Sequence, residues 1–118
     1  EPGCSCVECY WCREGKENLC SGGTFMGAGV QGAFADFVIV KNHQLVKMPD
    51  SMSFECGSLL EPIGVALHSM NLMDIKFNDT ATIFGAGPIG LCLYLTLKKA
   101  GLSKIFLVDP LEYRCKFY

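Results

Sequence analysis

The spacing of apolar positions changes along the chain. In the first half, a region without any regular spacing is followed by a region whose residues favour a strand. Residues 1–24 are rich in Cys and Gly and show no sustained period of two or of 3.6, so they bury little apolar surface. Residues 33–40 combine aromatic and β-branched side chains after a glycine and predict a strand, which continues through residues 45–48. The first half is therefore predicted to belong to a β-rich domain with a loop-rich lobe at its start.

The middle of the chain has a helical spacing of apolar positions. Residues 53–73 follow this pattern, with Ser53 as the predicted N-cap and Glu55 in the first turn. Pro62 interrupts the run, because proline lacks the N–H that a helix interior requires. The sequence therefore predicts two helices separated at Glu61–Pro62.

The last third of the chain predicts a βαβ unit. A turn at Asn78–Asp79 precedes an apolar strand over residues 80–84, a glycine-rich turn over residues 85–90, and a helix that ends near Ala100 with Gly101 as its cap. A second buried strand covers residues 104–108 and ends at Asp109. The fold class is α/β, and two strands are too few for a complete doubly wound sheet, so the sequence suggests a fragment of a longer protein.

Composition narrows the classes of function. The 118 residues carry a formal charge of −2, which provides no basic field for nucleic acid or for an acidic membrane surface. No secretory leader and no apolar stretch of bilayer length is visible. Half of the eight cysteines stand at metal-ligand spacing and not in a disulfide framework, which favours a reducing, cytoplasmic setting.

Four cysteines near the start of the chain, Cys6, Cys9, Cys12 and Cys20, have the spacing C-x2-C-x2-C-x7-C. Four thiolates can close a tetrahedral shell around Zn²⁺ and leave no position for water or substrate, so the predicted zinc is structural. Cys4 is an alternative to Cys6 as the first ligand, and we prefer Cys6. Disulfides and an iron–sulfur cluster are the competing interpretations.

The glycine-rich turn indicates a dinucleotide site. Gly85 permits the tight turn, Gly87 lets the backbone approach a pyrophosphate, and Gly90 allows close packing of helix and strand. The predicted cofactor contacts are completed by the start of the helix and by the acid after the second strand: Pro88, Ile89 and Asp109. Asp109 would bond the ribose 2′-hydroxyl and repel a 2′-phosphate, which favours NAD over NADP. The alternative for the glycine-rich turn is that it only connects a strand to a helix. Arg114 either contacts a 2′-phosphate or is a solvated side chain.

Taken in order along the chain, these motifs resemble the zinc-containing medium-chain alcohol dehydrogenase family, and within it the sorbitol, polyol and threonine dehydrogenase-like branch. The resemblance covers essentially the whole sequence. Its carriers are the four-cysteine lobe and three segments, Gly32–Phe37, Leu60–His68 and Gly85–Gly90.

The resemblance implies a division of the chain. Residues 1–52 would end a GroES-like catalytic domain whose structural zinc lobe occupies residues 4–24. Residues 53–78 would form connecting helices, and residues 79–118 would begin the Rossmann domain that binds NAD. The active site would lie in the cleft between the two domains.

The resemblance also implies a reaction, oxidation of a secondary alcohol or polyol to a ketone with hydride transfer to NAD. A second, catalytic Zn²⁺ would be held by residues upstream of Glu1, so this stretch alone should be inactive. Glu61 matches the family position beside that zinc, as a ligand or as the group that holds its water; alternatively it only stabilises the helix dipole. A small-molecule substrate and a homodimer or homotetramer are expected, with no nucleic acid and no membrane.

Two further expectations concern the remaining titratable side chains. His68 and the isolated cysteines Cys56, Cys92 and Cys115 are interpreted as packing residues, whereas His43 should be exposed. A different class of function also stays open, a non-catalytic, zinc-stabilised NAD-binding module that binds nucleotide without turnover.

Overall fold

The computed structural model of the protein describes residues 1–116 and divides into two compact units. The first unit is Glu1–Met48, and the second begins at Pro49. The last two residues of the predicted segment 79–118 lie outside the described residues. Within the described range, no helix has the length and apolar character that crossing a bilayer would require.

The first unit contains little regular structure. Strand β1 (Gly3–Cys4) pairs antiparallel with β2 (Thr24–Phe25), and helix α1 (Tyr10–Arg13) lies between them in the sequence. Two 3-10 turns, Glu17–Leu19 and Asn42–Gln44, complete the unit. The short ladder brings the two ends of the cysteine-rich segment together, which is what a metal centre in this lobe requires.

The strand predicted over residues 33–40 is absent, and that prediction was wrong. The segment has no ladder partner among the described residues, and its Phe34, Phe37 and Ile39 are almost fully exposed. A strand needs the hydrogen bonds of a neighbour, and side-chain preference alone does not supply them. The continuation through residues 45–48 also fails, because the 3-10 turn Asn42–Gln44 interrupts it.

The second unit opens with two consecutive helices, α2 (Phe54–Ser58) and α3 (Leu60–Asn71). Ser53 caps α2 as predicted, since its Oγ accepts the Cys56 N–H at 3.3 Å. The break falls at Leu59 and not at Glu61–Pro62. Proline is tolerated inside the first turn of α3 because the first N–H groups of a helix have no intrahelical acceptor.

The βαβ unit forms as predicted. Strand β3 (Thr80–Phe84) and strand β4 (Lys104–Val108) are parallel and in register from Thr80 opposite Lys104 to Phe84 opposite Val108. Helix α4 (Pro88–Lys99) connects them, Ala100 is its C-cap, and Gly101 follows with φ +90°. A short helix, α5 (Glu112–Cys115), comes after β4.

Helix α4 packs against both α3 and the inner face of this sheet, where the buried apolar residues of the unit lie: Ala66, Ile83, Ala86, Cys92 and Leu97. The outer face of the sheet alternates with the inner one and is exposed at Phe84 and Phe106. The core of this unit is therefore formed by α3, α4 and the face of the two strands that α4 covers.

The expectations for isolated side chains are met in part. Cys92 is buried and His43 is exposed, as predicted. His68 and Cys56 are exposed, so their interpretation as packing residues was wrong. Cys56 belongs to α2 and His68 to α3, and each lies on a part of its helix that the described residues leave exposed.

Candidate metal centre and nucleotide-binding turn

Cys6, Cys9, Cys12 and Cys20 form one cluster, in which all four sulfur atoms lie within 4.8 Å of one another. The Sγ atoms of Cys9 and Cys12 are 3.5 Å apart, and those of Cys6 and Cys12 are 3.9 Å apart. Four sulfurs placed about 2.3 Å from one Zn²⁺ in a tetrahedron would be about 3.8 Å from each other. The donor set and its spacing therefore fit a four-coordinate zinc ion.

Backbone N–H groups point at the sulfurs of this cluster. The N–H of Cys9 donates to Cys6 Sγ at 3.4 Å, and the N–H of Cys6 donates to Cys20 Sγ at 3.4 Å. The backbone of Glu8 and then that of Cys9 lower the pKa of the Cys6 thiol. Such donors stabilise a thiolate over a thiol, which is the form that ligates a metal.

Two neighbouring thiols of the cluster titrate in opposite directions. The backbone N–H of Cys12 is the main cause that lowers the pKa of Cys9 to about 6. Loss of hydration, followed by the hydrogen bonds with Cys9 and Cys20, raises the pKa of Cys12 to about 12. Sulfurs this close cannot all ionise without a cation, because each thiolate disfavours the next. The arrangement thus has the chemistry of a site that needs a positive ion at its centre.

Cys4 is not part of the cluster, although it is only two residues from Cys6. Its Sγ lies 3.8 Å from the carbonyl oxygen of Pro2 and 3.6 Å from Nε2 of Gln44. The geometry therefore places Cys6 with the other three sulfurs and leaves Cys4 outside.

The glycine-rich turn joins β3 to α4. Gly85 has φ +105°, a conformation that side chains with a Cβ rarely adopt. A Cβ on Gly90 would come within 1.9 Å of the Gly85 carbonyl oxygen, so helix α4 approaches the turn closely only because residue 90 is glycine. At Gly87, the N-cap of α4, a Cβ would meet no protein atom within 4 Å. Space therefore remains in front of Gly87, on the side where the first N–H groups of α4 are free to bind an anion.

Asp109 directly follows β4 and bonds to the glycine turn. Its Oδ2 accepts the Ala86 N–H at 2.9 Å, its Oδ1 accepts the Leu111 N–H at 2.8 Å, and its side chain is only 2% exposed. The N–H of Leu111, then that of Ala86, hold the pKa of this carboxyl below its usual value. Asp109 is therefore ionised at neutral pH and tied to the turn on which the dinucleotide would lie.

Arg114 completes the surroundings of this acid. Its Nη1 lies 3.4 Å from Asp109 Oδ2, and its Nε donates to the Tyr113 hydroxyl at 3.3 Å. Arg114 also lines the same depression as Gly85, Gly87 and Pro88. The arginine is thus paired with Asp109 at the candidate site, while 41% of its side chain stays exposed to solvent.

Glu61 stands in the first turn of α3 with an exposed side chain. The structure brings Glu61 together with none of the other predicted site residues within its own unit, whereas the remaining ones form two groups. The cysteines form the first group, and the turn with Ile89, Gly90 and Asp109 forms the second.

Comparison with known proteins is consistent with both groups. Residues 1–50 match the model of the alcohol dehydrogenase GroES-like domain. The chain is 39% identical over 107 residues to (R,R)-butanediol dehydrogenase of Saccharomyces cerevisiae, which covers 90% of this chain and 28% of that protein. The chain is similar over most of its length to zinc-type medium-chain dehydrogenases, and its first 50 residues match their GroES-like domain. It spans about a third of the length of the curated relatives that it matches.

Solved structures of this dehydrogenase family share the fold. Galactitol-1-phosphate dehydrogenase of Escherichia coli superposes with a TM-score of 0.88 at 29% identity over 98% of this chain and 34% of that one. A protein of Sinorhizobium meliloti described as a zinc-binding dehydrogenase, bound to NADP, gives a TM-score of 0.92 at 30% identity, over 99% of this chain and 34% of that one. The predicted fold class, the end of a GroES-like domain joined to the start of a Rossmann domain, is confirmed.

Sequence reasoning missed one residue that contacts the start of the cysteine-rich lobe. Gln44 is 6% exposed and forms hydrogen bonds to residues near the chain start, which no local pattern around it indicated. The contact of Arg114 with Asp109 had a weak signal, since an acid at a strand end is followed five residues later by an arginine.

Proposed function

We propose that this chain is part of a zinc-dependent dehydrogenase that oxidises a secondary alcohol or polyol to a ketone and transfers the hydride to NAD. The observation that carries the proposal is the bond between Asp109 and the Ala86 N–H, because it joins the acid after β4 to the glycine turn in one preformed site. The four-cysteine cluster on the same chain supports the zinc-containing branch of such enzymes.

The preference for NAD over NADP rests on charge. Asp109 is ionised and buried beside the turn, and a carboxylate there accepts hydrogen bonds from ribose hydroxyls while it repels a 2′-phosphate. Arg114 forms an ion pair with Asp109, and this pairing reduces the attraction of the arginine for the 2′-phosphate of NADP. One similar structure carries NADP, so cofactor preference is a direct test of this reasoning.

The pyrophosphate would lie against the start of α4. Gly87 leaves the space for it, and the N–H groups of Ile89 and Gly90 belong to the first turn of the helix, where they have no intrahelical acceptor. The partial positive charge of the helix end adds to their attraction for the anion. The chain's residues thereby bind and orient the cofactor and leave the hydride chemistry to it.

The cysteine cluster would hold a structural zinc ion. A closed shell of four sulfurs has no position for substrate, so its contribution is to the stability of a lobe that has almost no apolar core. A catalytic Zn²⁺, where bound, supplies a Lewis acid that lowers the pKa of the substrate hydroxyl. Glu61 is proposed to act near that metal, and its exposed position at the start of α3 leaves its carboxylate available.

Several further properties are proposed for the whole protein, of which this chain would be a fragment. All eight cysteines are free thiols, which suits the reducing cytoplasm. The partner is proposed to be a small alcohol or polyol, and the assembly a homodimer or homotetramer. The proposed arrangement assigns residues 1–52 to the catalytic domain, residues 53–78 to the junction and residues 79–118 to the Rossmann domain.

A turnover assay on the full-length protein tests the function. Zinc-loaded enzyme is mixed with NAD or NADP and a panel of polyols, secondary alcohols and threonine, and the absorbance of the reduced nicotinamide is followed. We expect turnover with NAD and at least one polyol or secondary alcohol, and a lower kcat/KM with NADP. Dinucleotide binding without turnover on any substrate would instead favour a non-catalytic zinc-stabilised module.

A further inference from the structure

Gln44 is a buried polar side chain that lies far from the cysteine cluster in sequence but contacts the strand that leads into it. Its Nε2 donates to the carbonyl oxygen of Gly3 at 2.9 Å and to that of Glu1 at 3.3 Å. Its Oε1 accepts the N–H of Lys41 at 3.0 Å, so both ends of the amide are occupied. A side chain this saturated with hydrogen bonds holds one conformation and fixes the backbone around it.

The side-chain amide of Gln44 also contacts the sulfur of Cys4, which is not part of the four-cysteine cluster. Gln44 Nε2 lies 3.6 Å from Cys4 Sγ, which also lies 3.8 Å from the Pro2 carbonyl oxygen. Cys4 and Cys6 are two residues apart, and both are thiols of the same lobe. Nothing in their chemistry distinguishes them as zinc ligands, so the backbone around them must make the selection.

The backbone that makes the selection is the short ladder β1–β2. Gly3 and Cys4 pair with Phe25 and Thr24, and Cys6 lies two residues after the end of this pairing. The Cys6 N–H then donates to Cys20 Sγ at 3.4 Å, which joins the first and last sulfurs of the cluster. A ladder of two residues per strand is weak by itself, and Gln44 supplies additional hydrogen bonds to its outer edge.

We propose that Gln44 is a positioning residue of the metal centre: its amide holds β1 and the Cys4 sulfur so that Cys6, and not Cys4, joins Cys9, Cys12 and Cys20. This inference rests on the proposed zinc binding by the cluster. Loss of the Nε2 donors frees Cys4 to compete with Cys6 for the metal.

Site-resolved alkylation of the zinc-loaded full-length protein tests this role. A limited pulse of iodoacetamide is followed by mass spectrometry of each cysteine peptide. In the wild type, we expect fast modification of Cys4 and protection of the four cluster thiols. In Gln44→Glu, which keeps the Oε1 acceptor and the shape but loses the donors, modification of Cys6 should rise by roughly tenfold while that of Cys4 falls, the effect of one or two lost hydrogen bonds.

The pattern across the four thiols separates ligand selection from general loosening of the lobe. In Gln44→Glu combined with Cys4→Ser, the competitor is gone, and protection of Cys6 should return. Gln31→Glu makes the same chemical change at an exposed glutamine of the same unit and should match the wild type. Equal loss of protection at all four cluster thiols in Gln44→Glu, or unchanged protection of Cys6, would overturn the selecting role.

A second variant, Cys6→Ser, leaves Gln44 unchanged, so it tests the same inference even if Gln44→Glu does not fold. In Cys6→Ser, the intact amide should still hold Cys4 away, so Cys4 stays open to alkylation and a Co²⁺-substituted sample shows three thiolate ligands by its charge-transfer absorbance. Protection of Cys4 with four thiolates in that variant would refute the inference. Wild-type protein in which none of the cluster thiols is protected would overturn the zinc centre itself, and the role of Gln44 with it.

Discussion

The close approach of helix α4 to the glycine turn gives a sharp prediction at Gly90. A Cβ there would lie 1.9 Å from the Gly85 carbonyl oxygen, about 1.5 Å closer than the 3.4 Å at which ordinary contact begins. The obstructing atom belongs to the backbone of a residue with φ +105°, so no side-chain rotation can relieve the contact. Gly90→Ala must therefore displace either the turn or the start of α4.

The magnitude follows from two opposing effects. Overpacking of this kind costs about 1–3 kcal/mol, and a contact with backbone belongs at the upper end of that range. Alanine in a helix regains up to about 1 kcal/mol relative to glycine. We expect Gly90→Ala to lower the free energy of unfolding of the nucleotide domain by about 1–2 kcal/mol and to weaken NADH binding about tenfold or more, because the turn that faces the pyrophosphate moves.

Gly64→Ala is the matched control. Gly64 also lies inside a helix, α3, but a Cβ there meets no atom within 4 Å. This variant should be as stable as the wild type or up to about 1 kcal/mol more stable, with unchanged NADH affinity. The assay is equilibrium urea unfolding of the full-length protein together with NADH fluorescence titration. A Gly90→Ala protein with wild-type stability and affinity would refute the steric argument.

Three further predictions concern charge and metal. Asp109→Asn should weaken NADH binding about tenfold. Because the pKa of Asp109 is lowered in the folded protein, its carboxylate stabilises the fold at pH values above the ordinary pKa of about 3.9, and this stability is lost as the pH falls through the folded pKa. The variant lacks this contribution and should lose less stability than the wild type in acid unfolding titrations below about pH 4; identical acid titrations would contradict this. Glu61→Gln should lower kcat about 10- to 100-fold, whereas Glu55→Gln, a change at an exposed acid in the first turn of the neighbouring helix α2, should not; equal effects in steady-state kinetics would remove the catalytic role. Chelation of zinc should unfold the cysteine lobe and shift the emission of Trp11, the one tryptophan among these 118 residues, which stands between two cluster cysteines; an unchanged spectrum after verified metal loss would count against a structural zinc.

The parts of the fold that sequence predicted well are those fixed by short-range chemistry. Ser53 caps its helix because the Oγ of a serine reaches an N–H three residues later. The turn at Gly85 and the cap at Gly101 need positive φ, which glycine permits without strain. The grouping of the four cysteines was expected from their spacing, since a short loop and one helical turn can return thiols to one point.

Predictions failed where the outcome depends on residues far apart in the chain. Residues 33–40 have strand-forming side chains but no pairing partner among the described residues, and His68 lies in an apolar helix but is exposed. Side-chain preference is a property of one segment, whereas pairing and burial need a second segment.

The sequence by itself determined the class of the molecule: a thiolate cluster with metal spacing, followed by a strand, a glycine turn, a helix and an acid. Only the tertiary structure decided how these parts are held. It turned the Asp109 carboxylate onto the Ala86 N–H and against Arg114, and it brought Gln44 onto strand β1, which contains Cys4 and lies just before Cys6. These contacts join residues from 5 to 41 positions apart, and such hydrogen bonds leave no periodic trace in a sequence because they form only when folding has brought the partners together.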